Sequence, residues 1–143
     1  AMFGGMVCGA PREVVAALAA FGEEIGVVFQ LSDDIIDIAS DSSGKTPGTD
    51  LREGVPTLPT LLLRKSDNPA DQELVRLIDA GLTDDADLAR ALAGLRASHA
   101  IEQTRAEILR RAEGARAQLA PLPESAAKRA LGRLCDLVVT RSS

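Results

Sequence analysis

Phe29-Gln30-Leu31-Ser32-Asp33-Asp34-Ile35-Ile36-Asp37 sets three carboxylates inside a run that is otherwise apolar on both sides. Carboxylates are costly to bury without a cationic partner, so their presence here demands a reason. At helical pitch Asp33 and Asp37 share a face, Asp34 lies about 100° around from Asp33, and Gln30 sits one turn before the pair. Upstream, Val14, Val15, Leu18, Phe21, Ile25, Val28, Phe29 and Ile36 recur at helical spacing behind Pro11, a residue suited to the first turn of a helix. The pattern predicts one long helix over residues 12–38 with the acids in its C-terminal half. Two readings of those acids stand side by side: a solvated helix face, or oxygen ligands for a hard cation. Mg²⁺ is the cation that typically binds through one or two carboxylates plus substrate phosphates.

Composition points to the same structural class. The chain has 143 residues, enough for one helical domain with a sizeable core. Its apolar share of 45% is mostly Ala, Leu and Val, with three Phe and no Tyr or Trp, which favours helix–helix packing over a sheet-based core. A net charge of −5 argues against a nucleic-acid surface. Cys8 and Cys135 lie near opposite ends with no paired spacing, and read as reduced, buried residues of a cytoplasmic protein. No unbroken apolar run approaches the ~18 residues that span a bilayer, so membrane contact is expected to be peripheral at most. Residues 1–10 lack a polar face and read as the end of a helix buried on all sides.

Beyond the acidic helix, residues 40–56 combine Ser, Gly, Pro and Asp and read as a loop of functional length. A helix is expected over 57–64 with Pro59 in its first turn, then a turn at 66–69 and a helix over 70–80 closed by Gly81. Thr83 or Asp84 should cap one long helix over 85–119, with Leu88, Leu92, Leu95, Ile101, Ile108 and Leu109 on its inner side. Pro121 and Pro123 break the chain before a last helix over 125–139. There is no internal repeat and no second domain.

The loop reads Gly44-Lys45-Thr46-Pro47-Gly48-Thr49-Asp50-Leu51-Arg52-Glu53-Gly54-Val55-Pro56-Thr57-Leu58-Pro59-Thr60. Taken with the acidic helix at this distance, it resembles the second aspartate-rich motif and following loop of the trans-type polyprenyl diphosphate synthases. Matching runs from about residue 9 to residue 63. The resemblance implies an all-α fold, an antiparallel helical bundle of the isoprenoid synthase type. Residues 1–143 would form the C-terminal half of a single domain, since the first aspartate-rich motif of relatives lies upstream of the matching region. It also implies a cytoplasmic Mg²⁺-dependent prenyltransferase that joins an allylic diphosphate to isopentenyl diphosphate and works as a homodimer at full length. Residues 1–143 alone would then be inactive. No nucleic acid is implied, and membrane contact would come only through a lipid product.

Carried onto this chain, the resemblance makes Asp33 a direct Mg²⁺ ligand, with Asp34 supporting that site and Asp37 acting through a coordinated water. Lys45 would contact the diphosphate as a mobile positive charge. Gln30 would donate a hydrogen bond toward the allylic group or its diphosphate, and Phe29 would shape the hydrocarbon wall, unless it is ordinary core packing. Asp50 reads as an Asx-type turn residue, not a ligand. Val55 departs from the pattern, because many relatives carry Lys there; Arg52 is the one nearby cation that might replace it. His99, the sole histidine, stands alone on a helix and is expected to be a surface or core residue. Two other functions compete with the enzyme: a non-catalytic subunit of a heteromeric synthase, and a helical interaction module whose acids are merely solvated. The intact D-D-x-x-D pattern favours the enzyme.

Overall fold

The computed structural model describes residues 1–39 and 47–141. Among these residues there is no strand, as the all-α expectation requires. Eight helices follow in order: α1 (Met2–Val7), α2 (Arg12–Ala39), α3 (Thr49–Glu53), α4 (Leu58–Arg64), α5 (Pro69–Asp79), α6 (Asp85–Ala97), α7 (His99–Gln118) and α8 (Ala126–Arg141). The long helix expected over 12–38 is α2. The chain divides into two compact units, Ala1–Ser32 with Glu107–Ser143, and Asp33–Ala106.

The unit of residues 33–106 has a continuous apolar core. Ile38, Leu51, Leu63, Leu74, Leu88, Leu92, Leu95 and Ile101 are buried together in it. Local signals set its helices. At α4 the Thr60 hydroxyl accepts the Thr57 N–H at 3.0 Å and donates to the Thr57 carbonyl at 2.8 Å, and Pro59 occupies the first turn. Asn68 caps α5 by accepting the Ala70 N–H at 3.0 Å, and Asp84 caps α6 by accepting the Asp87 N–H at 2.8 Å. Helices α5 and α6 approach closely where Gly94 faces Leu74: a Cβ at residue 94 would stand 2.9 Å from a Leu74 methyl.

In the other unit, the buried side chains are Ala17, Phe21 and Val28 of α2, Ile108, Ala112 and Ala115 of α7, and Cys135 and Val138 of α8, with Leu119 just past α7. The Ser32 hydroxyl donates to the Val138 carbonyl at 3.3 Å. Arg111 bridges α7 and α2 by pairing with Glu24 at 3.3 Å and with Glu107 on its own helix at 2.7 Å. Arg116 joins α7 to α8 through Asp136.

Several expectations need correction. The stretch expected to be wholly loop contains α3, a single helical turn bounded by Gly48 at φ 77° and Gly54 at φ 71°. The helix expected over 85–119 is two helices, broken at Ser98, whose ψ of 154° is extended. Its hydroxyl donates to the Leu95 carbonyl at 2.7 Å, the local competition with helical bonding that serine offers. Leu109 faces outward at 55% exposure, whereas Ile108 beside it is buried. Cys8 is exposed; Cys135 is buried, and both are free thiols. Helix α1 buries none of its residues, so the apolar stretch at residues 1–10 is not enclosed within this chain.

The membrane reading also changes. Helix α2 contains an 18-residue window of mean hydropathy 1.7, long and apolar enough by length and composition to cross a bilayer. Glu23 and Glu24 interrupt the apolar side chains of this helix, which is why a search for an unbroken run passes over it. A helix packed within a bundle meets the same test, and adjacent carboxylates are expensive in hydrocarbon.

Candidate active site

The carboxylates of Asp33, Asp34 and Asp37 occupy the last two turns of α2, within the unit of residues 33–106. Asp34 is the most enclosed of the three, at 6% exposure, while Asp33 and Asp37 are half-buried. No buried side-chain oxygen or nitrogen among the described residues lacks a partner.

Asp37 is tied to the chain that follows. Its Oδ2 accepts the Asp50 N–H at 3.2 Å, the Thr49 N–H also reaches its carboxylate, and its main-chain carbonyl accepts the Gly48 N–H at 2.9 Å. Burial raises the Asp37 pKa above the ordinary carboxylate value; the two N–H donors pull it down, and the charges of Asp50 and Asp34 push it up. The next carbonyl, that of Ile38, accepts Nε of Arg96 at 2.7 Å. Helix C-terminal carbonyls have no partner within their own helix, and here α3 and α6 supply two. Gly48 fits this contact because it takes a left-handed φ and lies against Leu88 and Leu92, with room for no side chain.

The remaining sequence candidates are placed as follows. Lys45 lies outside the described residues. Gln30 and Phe29 are exposed on α2, and one face of the Phe29 ring is covered by the guanidinium of Arg141, 4.6 Å from the ring centroid. A cation on the ring makes plain core packing the wrong description of Phe29. Asp50 lies in the first turn of α3 and reaches Asp37 through its main-chain N–H. Arg52 pairs with Asp85 at the start of α6, and Val55 is 42% exposed. His99 is exposed and lines a pocket of about 400 Å³ with Lys65, Ser66, Asn68, Asp71 and Gln103. None of the three acids of α2 lines it, so the pocket carries no part of the argument from them.

Among the described residues no three side chains of His, Cys, Asp or Glu converge to hold a metal ion. Helix α2 by itself therefore offers too few carboxylates for an all-protein cage; Mg²⁺ typically binds through one or two carboxylates plus substrate phosphates.

Residues 1–95 match the family model described as polyprenyl synthetase. The chain is 44% identical over 140 residues to a nonaprenyl diphosphate synthase of Mycobacterium tuberculosis, covering 96% of this chain and 42% of that protein. It is 32% identical over 139 residues to the octaprenyl diphosphate synthase of Escherichia coli, covering 96% of this chain and 43% of that protein. Among solved structures, a geranylgeranyl pyrophosphate synthase from Corynebacterium glutamicum, complexed with calcium and isoprenyl diphosphate, superposes with a TM-score of 0.93 at 40% identity. That match covers 99% of this chain and 45% of the other. A decaprenyl diphosphate synthase from Rhodobacter capsulatus superposes with a TM-score of 0.84 at 33% identity, over 99% of this chain and 45% of the other. The chain therefore spans less than half the length of the relatives it matches.

Proposed function

The chain belongs to the polyprenyl synthetase family, and from that premise we propose that it supplies one of two carboxylate clusters of a prenyltransferase that joins an allylic diphosphate to isopentenyl diphosphate. The observation that carries this reading is the D-D-x-x-D cluster in the last two turns of α2, with Asp37 tied to the main chain of residues 48–50. The activity proposed is that of the whole polypeptide or assembly in which these residues work, as a homodimer in the cytoplasm. Residues 1–143 alone are expected not to turn over.

Asp33 and Asp34 would hold Mg²⁺ at the substrate diphosphate. Bound there, the ion would supply positive charge where the leaving group gathers negative charge. The work of this chain is to present that carboxylate face in a fixed orientation. Gln30 would hydrogen-bond the diphosphate or the allylic group, Phe29 would meet the hydrocarbon, and Lys45 would add a mobile cation. Departure of the diphosphate leaves an allylic cation. The homoallylic double bond attacks that cation, and a proton is lost to the departing pyrophosphate.

The test is Asp33→Asn in the protein that carries this chain, assayed with labelled isopentenyl diphosphate and an allylic primer. Shape is kept and charge removed, so turnover should fall by about 10²-fold or more, the scale of one strong transition-state contact at roughly 3 kcal/mol. Thermal melting should be unchanged. Near-normal turnover with unchanged Mg²⁺ dependence would mean that the acids are a solvated face, and the assignment would fail.

A further inference from the structure

Asp37 is held by the main chain of the segment that follows α2. Its carboxylate accepts N–H groups of Asp50 and Thr49, its carbonyl accepts the Gly48 N–H, and the adjacent Ile38 carbonyl accepts Arg96. The segment gripped in this way is itself anchored. Leu51 is 5% exposed within the core, Gly48 abuts Leu88 and Leu92, and Arg52 holds Asp85. A carboxylate that accepts two main-chain N–H groups has fewer lone pairs left for a cation, and it is well placed to join two elements. The last turn of a helix frays unless its carbonyls find partners, and Asp33 stands within two turns of that end.

We infer that Asp37 is a positioning residue and not a metal ligand: by clamping α3 to the last turn of α2, it holds the Asp33 carboxylate in the orientation that the diphosphate-bound cation needs. The inference rests on the prenyltransferase reading and goes beyond it by giving the third acid of the motif a structural task. Ligation depends on charge, whereas clamping depends on an acceptor oxygen. Asn keeps the acceptor and loses the charge; Ala loses both.

The experiment compares Asp37→Asn, Asp37→Ala and Asp33→Asn in the protein that carries this chain, with two readouts. In hydrogen–deuterium exchange without substrate, the segment containing Gly48 and Asp50 should exchange at least 10-fold faster in Asp37→Ala and at the parent rate in Asp37→Asn. In steady-state assays, Asp37→Asn should keep kcat within about 3-fold. Asp37→Ala should lose 10-fold or more, and neither should change the Mg²⁺ concentration giving half-maximal rate. If Asp37→Asn is as slow as Asp33→Asn and needs more Mg²⁺, Asp37 is a ligand and the inference is overturned. Unchanged exchange in Asp37→Ala overturns it equally. Should Asp37→Ala fail to fold, Asp37→Asn still decides the matter by its kcat and Mg²⁺ requirement. A fully active Asp33→Asn would instead strike at the prenyltransferase reading, whatever residue 37 does.

Discussion

Gly48→Ala probes the joint between α3 and the acidic helix, and its cost follows from two separable terms. The residue has φ 77°, a conformation that places an L side chain close to its own carbonyl, at about 1–2 kcal/mol. The added methyl would also stand 3.0 Å from Leu88 Cδ1 and 3.1 Å from both Leu92 δ-methyls, so those side chains must give way by a few tenths of an ångström. Overpacking of this kind costs about 1–3 kcal/mol, with the low end apt because leucine termini can swing aside. The sum is about 2–3 kcal/mol. Gly54→Ala is the control: its φ is 71° but its Cβ would meet nothing within 4 Å, leaving the backbone term of about 1 kcal/mol alone. Urea unfolding of the two variants should therefore show midpoint losses differing by roughly two-fold, with Gly48→Ala the weaker protein. Equal losses would refute the reasoning, since the contact with Leu88 and Leu92 would then contribute nothing.

Glu107 accepts hydrogen bonds from Arg110 and Arg111, which hold its pKa at about 2, below its ordinary value of 4.5. A carboxylate depressed in the folded state contributes stability above its unfolded pKa and loses it as pH falls through the folded one. Thermal midpoints should therefore decline between about pH 4.5 and pH 2, and Glu107→Gln should flatten that decline; an unchanged slope would remove Glu107 as the source. Thr60→Val should cost about 1–3 kcal/mol by stranding the buried Thr57 N–H, whereas Thr60→Ser should cost far less. Equal denaturation midpoints for the two variants would show that the hydroxyl does not hold the start of α4.

The fold was legible wherever a helix announced itself through periodicity and a cap. Pro11, Asn68 and Asp84 mark starts that the sequence reading placed within a residue or two. Breaks made without Gly or Pro were not legible: Ser98 divides α6 from α7 by one side-chain hydrogen bond, inside a run whose apolar spacing continues across it. Leu109 was misplaced because it lies about 100° around the helix from Ile108, which takes the inner position. Helix α3 escaped notice because five residues between two glycines are too short to show periodicity. At the candidate site the acids could be read from their cost of burial. The main-chain contacts of Asp37 could not, because their donors lie more than ten residues away. Arg52 was legible as a cation but not in its choice of partner, which depends on how α6 begins.

The close approach of α5 and α6 at Gly94 has a consequence for how this protein can change over generations. A methyl at residue 94 collides with the Leu74 side chain, so enlarging 94 first is harmful, whereas shortening 74 first leaves a cavity that the second step can fill. The two positions are thereby coupled, and substitution histories through them are ordered. Gly94→Ala and Leu74→Ala should each destabilise, and the double variant should lose less than the sum. Strict additivity would show that the helices slide to absorb the methyl. If the coupling holds, descendants carrying Ala at 94 should have acquired a smaller residue at 74 before or together with it.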